Sequence, residues 1–280
     1  MTMRETQQAA LEILHTVAQI CEEKNFRYYL VYGTLIGAVR HNGFIPWDDD
    51  VDIMMPRPDY DKLLDYLGEH IGEYPHLEVF NRETCEAYPY MITRISDDRY
   101  EIIMENEKPF GMGIFIDIYP YDGLGNDQKE AVRFGMKGDR LSSLCYQATR
   151  DHFAIETTTS FFRKCIKMPV YLFCRLCGKE RFQDALEKLA RVRPYDESRF
   201  VGCVIWLSWA SKICTCANGS RDIRICPSRD TVSVYPQTTI RSCGTPTGTT
   251  CSCLPKRTAS DTTTIKHTAK TADHLAVFLK

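Results

Sequence analysis

Aspartate is the residue that could do chemistry most clearly in this sequence, because four of five neighbouring positions carry it: Asp48, Asp49, Asp50 and Asp52. Apolar residues flank this run, so it is not a solvated acidic tail. If residues 50–54 form a strand, the alternation of side chains places Asp50 and Asp52 on one face and turns Val51 and Ile53 into the core. Two carboxylates on one strand face are the hard oxygen ligands that Mg²⁺ prefers.

A third acid, Asp117, stands alone inside the apolar strand predicted for residues 114–119. Together with Asp50 and Asp52 it could hold one or two Mg²⁺ or Mn²⁺ ions, which bridge phosphate oxygens and neutralise charge on a leaving group. Acidic runs also occur as solvated turns or helix caps, but the alternation and the isolated Asp117 favour a metal site here. Asp48 and Asp49 are auxiliary candidates. One of them could cap a helix or orient a neighbouring group, and either could act as a general base.

A glycine turn precedes the acidic run. Gly33 and Thr34 follow a strand predicted for residues 26–32 and precede a short helix beginning at Leu35. Gly33 would let the backbone approach a phosphate group closely, and the amides of Thr34 and Leu35 would point at that group. We therefore predict a phosphate-binding turn upstream of the metal site.

Four further residues are candidates for the same site. Arg40 and His41 could meet a diphosphate, or could instead form ion pairs with Asp48 or Asp49. Trp47 could stack on a nucleotide base or enclose a quaternary ammonium group, with a plain loop anchor as the alternative. Arg94 would project from a strand near the site if the sheet order is the expected one.

Hydrophobic periodicity supplies the elements that must position these residues, and it predicts an α+β fold in which a mixed sheet with packed helices is followed by a helical region. The predicted helices cover residues 5–23, 59–70, 128–149, 161–177 and 181–193, the fourth being broken or kinked near Pro169. The other predicted strands cover residues 77–80, 90–95 and 100–104.

Charge and hydropathy limit the partners. The formal net charge of −2 predicts no broad electrostatic attraction to nucleic acid or to an anionic membrane. No signal peptide is visible, so we expect a cytoplasmic protein, with the inner face of the membrane as a second location. The segment from Phe161 to Cys177 contains four basic residues and is too short to span a bilayer. An amphipathic core helix is the favoured interpretation of this segment, and a helix lying on a membrane surface is the alternative.

Two blocks carry a family resemblance. Residues 33–60 contain Gly-Thr-Leu-Ile-Gly-Ala-Val-Arg-His, then Gly-Phe-Ile-Pro-Trp-Asp-Asp-Asp-Val-Asp-Ile, Pro-Arg and Asp-Tyr. This pattern resembles the signature of the LicD family of phosphorylcholine transferases, which are similar to fukutin-type enzymes within the nucleotidyltransferase-fold superfamily. Residues 115–120, Phe-Ile-Asp-Ile-Tyr-Pro, resemble a second block of that family. The resemblance covers roughly residues 5 to 211.

The resemblance implies a nucleotidyltransferase-like core with Gly33 and Thr34 at the phosphate turn and Asp50, Asp52 and Asp117 as metal and catalytic acids. It further implies transfer of phosphocholine, or a related alcohol phosphate, from CDP-choline or another CDP-linked donor. The acceptor would be a hydroxyl of a cell-surface or capsular glycan or of a lipid-linked oligosaccharide, and CMP would be released.

The last quarter differs in character, so we place a boundary after residue 211. Residues 212–280 are rich in Thr, Ser and Cys, and no strand or helix is predicted before residue 271. We interpret them as largely unstructured and hypothesise a shift of reading frame near Lys212, which the coding DNA would decide. A catalytically inactive, frame-damaged remnant is therefore an alternative to an active enzyme. The third hypothesis is that the chain is a Cys-rich zinc-binding interaction protein.

Overall fold

The computed structural model describes residues 1–104, 109–150, 152–153 and 161–206, together with the short strands 214–216, 223–225 and 275–276. It confirms the predicted α+β fold, with helices packed on an eight-stranded mixed sheet. The helices are α1 (Met3–Lys24), α2 (Tyr32–His41), α3 (Arg57–His70), α4 (Gln128–Thr149), α5 (Phe161–Cys177) and α6 (Lys179–Ala190). The strands are β1 (Tyr29–Leu30), β2 (Asp52–Pro56), β3 (Leu77–Phe80), β4 (Thr93–Asp97), β5 (Ile103–Met104), β6 (Ile114–Gly125), β7 (Phe200–Gly202), β8 (Cys214–Cys216), β9 (Ile223–Ile225) and β10 (Leu275–Ala276).

Strand β6 organises the sheet. Its first part lies between β2, which runs parallel to it, and β4, which runs antiparallel. Strand β1 pairs antiparallel with β2 on one side, and β3 pairs antiparallel with β4 on the other. The end of β6 pairs with β7, which continues the sheet to β8 and β9. One long strand therefore connects the sheet around the acidic residues to the later part of the chain.

Helix α1 begins and ends as its sequence dictates. The Thr2 side chain accepts a hydrogen bond from the Glu5 amide while the Glu5 carboxylate accepts one from the Thr2 amide, which forms a capping box. The helix ends at Asn25 in the left-handed conformation, with φ of 58°. Its buried face, which includes Ile13 and Val17, belongs to the main core with the inner strands.

Several predicted boundaries differ around the candidate site. The predicted strand 26–32 is reduced to Tyr29–Leu30, and α2 begins at Tyr32 instead of Leu35, so that Gly33 and Thr34 lie in its first turn. Strand β2 begins at Asp52, so Asp50 lies in the preceding loop and the predicted alternation does not extend to it. Pairing with β6 begins at Asp52, which explains why extended structure is enforced only from that residue onward.

The predicted core packing of residues 161–177 is right for only part of α5. This segment is one helix that includes Pro169, so it is not broken there, and a kink near Pro169 stays a prediction. Tyr171 and Cys174 are buried, but Leu172, Phe173 and Leu176 are exposed. Periodicity identified an apolar face and could not show whether that face would be covered. Among the described residues, no helix is long and apolar enough to cross a membrane.

The last quarter contains strands where none was predicted. β8 extends the sheet by pairing with β7, and β9 pairs with β8. Strand β10 lies in the segment predicted to be ordered after residue 271 and pairs with β5. The boundary after residue 211 remains a prediction. The zinc reading and the frame-shift hypothesis concern residues that, apart from these short strands, lie outside the part of the chain that the structure describes.

Candidate active site

Two of the predicted acids meet across neighbouring strands. Asp52 on β2 and Asp117 on β6 are direct partners in the parallel register, and the Asp117 amide donates to the Val51 carbonyl at 2.8 Å. The Tyr119 hydroxyl donates to Asp117 Oδ2 at 3.3 Å and also hydrogen-bonds Asp52. The sheet therefore holds these two carboxylates side by side around one phenol.

Negative charge is concentrated here. Burial raises the pKa of Asp52 well above its ordinary value, and the charges of Asp117 and Asp50 raise it further. Burial, followed by repulsion from Asp117 and Asp49, raises the pKa of Asp50 to about 7. The Asp50 side chain lies at the exposed edge of this group of carboxylates. A cation placed among these carboxylates would relieve their repulsion.

Arg94 lies on the opposite side of Asp117, as the sequence predicted. The two residues are register partners between β4 and β6, and Arg94 Nε donates to Asp117 Oδ1 at 2.7 Å. The rings of Phe115 and Tyr90 lie 4.0 and 4.3 Å from the guanidinium carbon. Arg94 is buried, and these contacts fix both its own position and that of the Asp117 carboxylate.

The loop before β2 brings another set of acids together. Carboxylate oxygens of Asp48, Asp49 and Asp50 lie within 4.8 Å of one another. Burial, followed by the charge of Asp49, raises the pKa of Asp48. The Gln7 amide nitrogen on α1 donates to the Asp48 carbonyl at 2.7 Å and to the Ile45 carbonyl at 3.2 Å. This contact anchors the loop on the first helix.

The first turn of α2 contacts both acidic groups. A Cβ atom on Gly33 would lie 2.3 Å from Asp48 Oδ2, so only glycine lets this carboxylate approach the helix so closely. The Thr34 hydroxyl accepts a hydrogen bond from the Asp52 amide at 2.8 Å. The predicted role of the Leu35 amide is wrong, because that amide donates to the Val31 carbonyl at 3.2 Å within the helix.

Tyr32 has a φ of 50°, which is strained for a residue with a side chain and costs about 1–3 kcal/mol. Its ring packs edge-on against Tyr119 at 5.4 Å, and its hydroxyl lies 3.3 Å from that of Tyr121. Strain of this kind at the start of α2 persists because surrounding contacts enforce it. Its position beside the acids is typical of a functional site.

The remaining candidates lie at the outer rim. Arg40, His41 and Trp47 are exposed, and the rings of His41 and Trp47 meet edge-on at 6.4 Å. Within residues 1–104, neither Arg40 nor His41 forms an ion pair with Asp48 or Asp49, so the alternative of a local ion pair is not realised. These three side chains remain free to contact a ligand.

The donor set fits a divalent metal ion. The candidate ligands of the site are all carboxylate oxygens. Five negative charges face the single positive charge of the buried Arg94, so a divalent cation would reduce the excess. Among the described residues, Asp48, Asp49 and Asp50 in the loop have carboxylate oxygens close enough to share one ion, and Asp52 and Asp117 lie beside this group on the sheet. The metal assignment of each acid remains a prediction.

Sequence reasoning missed Gln7, Tyr32 and Tyr119. Tyr119 follows Asp117 by two positions in the strand predicted for residues 114–119, so the two side chains share a face, and this spacing is the signal that could have identified the hydroxyl. Gln7 carried no signal, because its contact joins α1 to a loop about forty residues away. The strain at Tyr32 arises from tertiary packing.

Comparison with known proteins bears on these residues. A family model described as "LicD/FKTN/FKRP, nucleotidyltransferase domain" matches residues 25–132, which contain all five acids. The lipopolysaccharide cholinephosphotransferase LicD of Haemophilus influenzae is 38% identical over 211 residues, covering 73% of this chain and 74% of that protein. An uncharacterized protein of Rickettsia typhi is 40% identical over 136 residues, covering 41% of this chain and 43% of that protein. The chain therefore belongs to the LicD family of phosphotransferases.

Proposed function

We propose that this protein transfers phosphocholine, or a related alcohol phosphate, from CDP-choline or another CDP-linked donor to a glycan hydroxyl, with release of CMP. The observation that carries the proposal is the 38% identity to a lipopolysaccharide cholinephosphotransferase, together with five acids gathered beside the first turn of α2. The acceptor would be a cell-surface glycan or a lipid-linked oligosaccharide. With such acceptors, we expect the reaction to take place at the inner face of the membrane.

In this proposal Asp50, Asp52 and Asp117 hold Mg²⁺ or Mn²⁺, and Arg94 and Tyr119 fix the orientation of the acids. When bound, the metal would neutralise charge on the donor diphosphate. Arg94 and the stacked rings beside it keep Asp117 from rotating, because the guanidinium is held between Tyr90 and Phe115.

The donor would lie on the solvent side of these acids. Gly33 and Thr34, at the start of α2, would receive a phosphate near the positive end of the helix dipole. Arg40 and His41 would add positive charge to the diphosphate contact. Trp47 is 72% exposed and can stack on the base or enclose the choline ammonium.

CMP release by the purified full chain tests the proposal. The assay uses CDP-choline, Mg²⁺ and lipopolysaccharide, and it runs in parallel with CDP-ethanolamine and with EDTA. We expect CMP and choline-bearing glycan to form together, and chelation to stop both. Asp50→Ala and Asp52→Ala should each abolish turnover, since each removes an oxygen ligand.

Asp65→Ala is the matched control, because Asp65 is an exposed aspartate on α3, away from the site. It should keep full activity. Full turnover in both Asp50→Ala and Asp52→Ala would disprove the site assignment. A folded chain that binds CDP-choline without releasing CMP would instead favour the inactive remnant.

A further inference from the structure

Helix α5 turns an apolar face to solvent. The residues of this face are Cys165, Pro169, Leu172, Phe173 and Leu176, and all of them are exposed. Leu176 keeps 88% of its surface accessible and Phe173 keeps 59%. Spacings of four, three, one and three residues place all five along one side of a helix. A stripe of this length on the solvent side indicates a surface that binds something.

The opposite side of α5 fixes this orientation. Tyr171 and Cys174 are buried on that side. Arg175 Nη1 donates to the carbonyl of Arg150, just after α4, at 2.7 Å, and the Tyr171 ring packs against Phe153 at 5.6 Å. The helix therefore cannot turn its apolar face inward without losing this packing, and among the described residues nothing covers that face.

The charges of α5 are all of one sign. Its sequence contains four basic residues and no acid: Arg163, Lys164, Lys167 and Arg175. Lys167 is exposed, whereas Arg175 is held on the packed side by the Arg150 carbonyl. Lys167 precedes Tyr171 by four positions, so it belongs to the polar side of α5, away from the apolar stripe. An apolar face combined with a basic polar face is typical of a helix that lies in the interface of an anionic bilayer.

We propose that α5 is a membrane-docking helix that lies in the interface of an anionic phospholipid bilayer. A second copy of the chain fits this surface less well, because it would cover the apolar stripe and leave the cations of α5 without an opposite charge. The helix lies on the membrane and does not span it, since it has 17 residues and four cations. This inference stands on α5 alone and does not depend on the transfer reaction.

Vesicle flotation of the purified full chain tests the proposal. Vesicles of phosphatidylcholine with phosphatidylglycerol are compared with vesicles of phosphatidylcholine alone. We expect the chain to float with the anionic vesicles and to be released by high salt. Leu176→Glu and Phe173→Glu should each weaken binding by at least about tenfold, because each places a charge in the apolar stripe. Lys167→Gln should weaken it by about fivefold, and only on the anionic vesicles.

Two matched controls lie outside α5. Val192→Glu changes another exposed apolar side chain, 63% accessible, and Lys188→Gln changes an exposed lysine on α6. Both should float like the parent. Equal flotation of Leu176→Glu and the parent would overturn the proposal, and so would a parent that stays with neither vesicle. If the parent is a dimer that does not float with vesicles, and Leu176→Glu converts it to a monomer, the face would be assigned to self-association instead.

Discussion

Strand β6 carries two buried aspartates five positions apart, and each is paired with an arginine. Asp122 receives two hydrogen bonds from Arg57, from Nε at 2.6 Å and from Nη2 at 3.1 Å. Asp117 receives one from Arg94, and it also faces Asp50 and Asp52. Charge is balanced at the first pair and strongly negative at the second. The same residue types on one strand thus support packing at one end and a candidate reaction site at the other.

The balanced pair joins α3 to the sheet. Arg57 is the first residue of α3, and its guanidinium lies 5.2 Å from the Tyr60 ring. A buried pair of this kind adds little stability over an apolar replacement, but it is costly to break. The comparison therefore predicts that equivalent substitutions at the two aspartates have different consequences.

Asp117→Asn should have the largest effect, on activity. We expect kcat/KM for CMP release to fall by about 10³-fold or more, because the site loses a charged ligand worth several kcal/mol. The free energy of unfolding should stay the same or rise, because Asp50 keeps a negative charge near Arg94 after the substitution, an asparagine oxygen can still accept from Arg94, and repulsion with Asp52 is removed. Urea unfolding and the CMP assay measure the two effects. Strong destabilisation with full specific activity would reverse the assigned roles.

Asp122→Asn should act mainly on stability. It leaves the Arg57 charge buried, with Glu187 at 3.8 Å as its remaining ion-pair partner among the described residues, and we expect a loss of about 3–5 kcal/mol in the free energy of unfolding. Specific activity of the folded fraction at low temperature should match the parent. The double substitution Arg57→Met with Asp122→Leu should be less destabilising than Asp122→Asn, because no unpaired charge remains. A loss of activity without a loss of stability would contradict this prediction.

The two pairs also show what the sequence could and could not predict. Asp117 was identified because an acid inside an apolar strand is unusual, and Arg94 because it lies on a strand expected beside it. Asp122 and Arg57 carried no such signal, since 65 positions separate them and only the parallel register of β2 and β6 brings them together. The sequence pattern identifies residues that are unusual in their local context. It does not identify side chains that meet across the sheet, because such pairs depend on the tertiary structure.

Local context limited the rest in the same way. Alternation placed Asp50 and Asp52 on one strand, but pairing with β6 begins only at Asp52. The apolar periodicity of α5 correctly predicts a helix, but the predicted packing against the core holds for Tyr171 and Cys174 and fails for the exposed Phe173 and Leu176. A repeat of apolar residues indicates which side of a helix is hydrophobic, but it does not indicate which part of the protein packs against that side.

Arg94→Lys should have an intermediate effect. Lysine cannot reproduce the planar contact with Phe115 and Tyr90, so Asp117 would lose its fixed orientation. We expect activity to fall by about 10- to 100-fold, the usual range for a residue that orients a ligand. Arg57→Lys is the matched control at the balanced pair and should lower stability without lowering the activity of folded protein. Equal activity losses in both variants would remove the distinction between the pairs.

The smallest effect is expected at Gly33, on the loop side of the acids. In Gly33→Ala the new Cβ would lie 2.3 Å from Asp48 Oδ2, so the carboxylate must move away from α2. We expect about a tenfold loss of activity, equivalent to about 1.4 kcal/mol, with little change in stability because alanine favours the helix. Gly43→Ala is the control, since a Cβ there meets nothing within 4 Å. If Gly33→Ala retained full activity, the position of Asp48 would be irrelevant to turnover, and the reaction would depend on Asp50, Asp52 and Asp117.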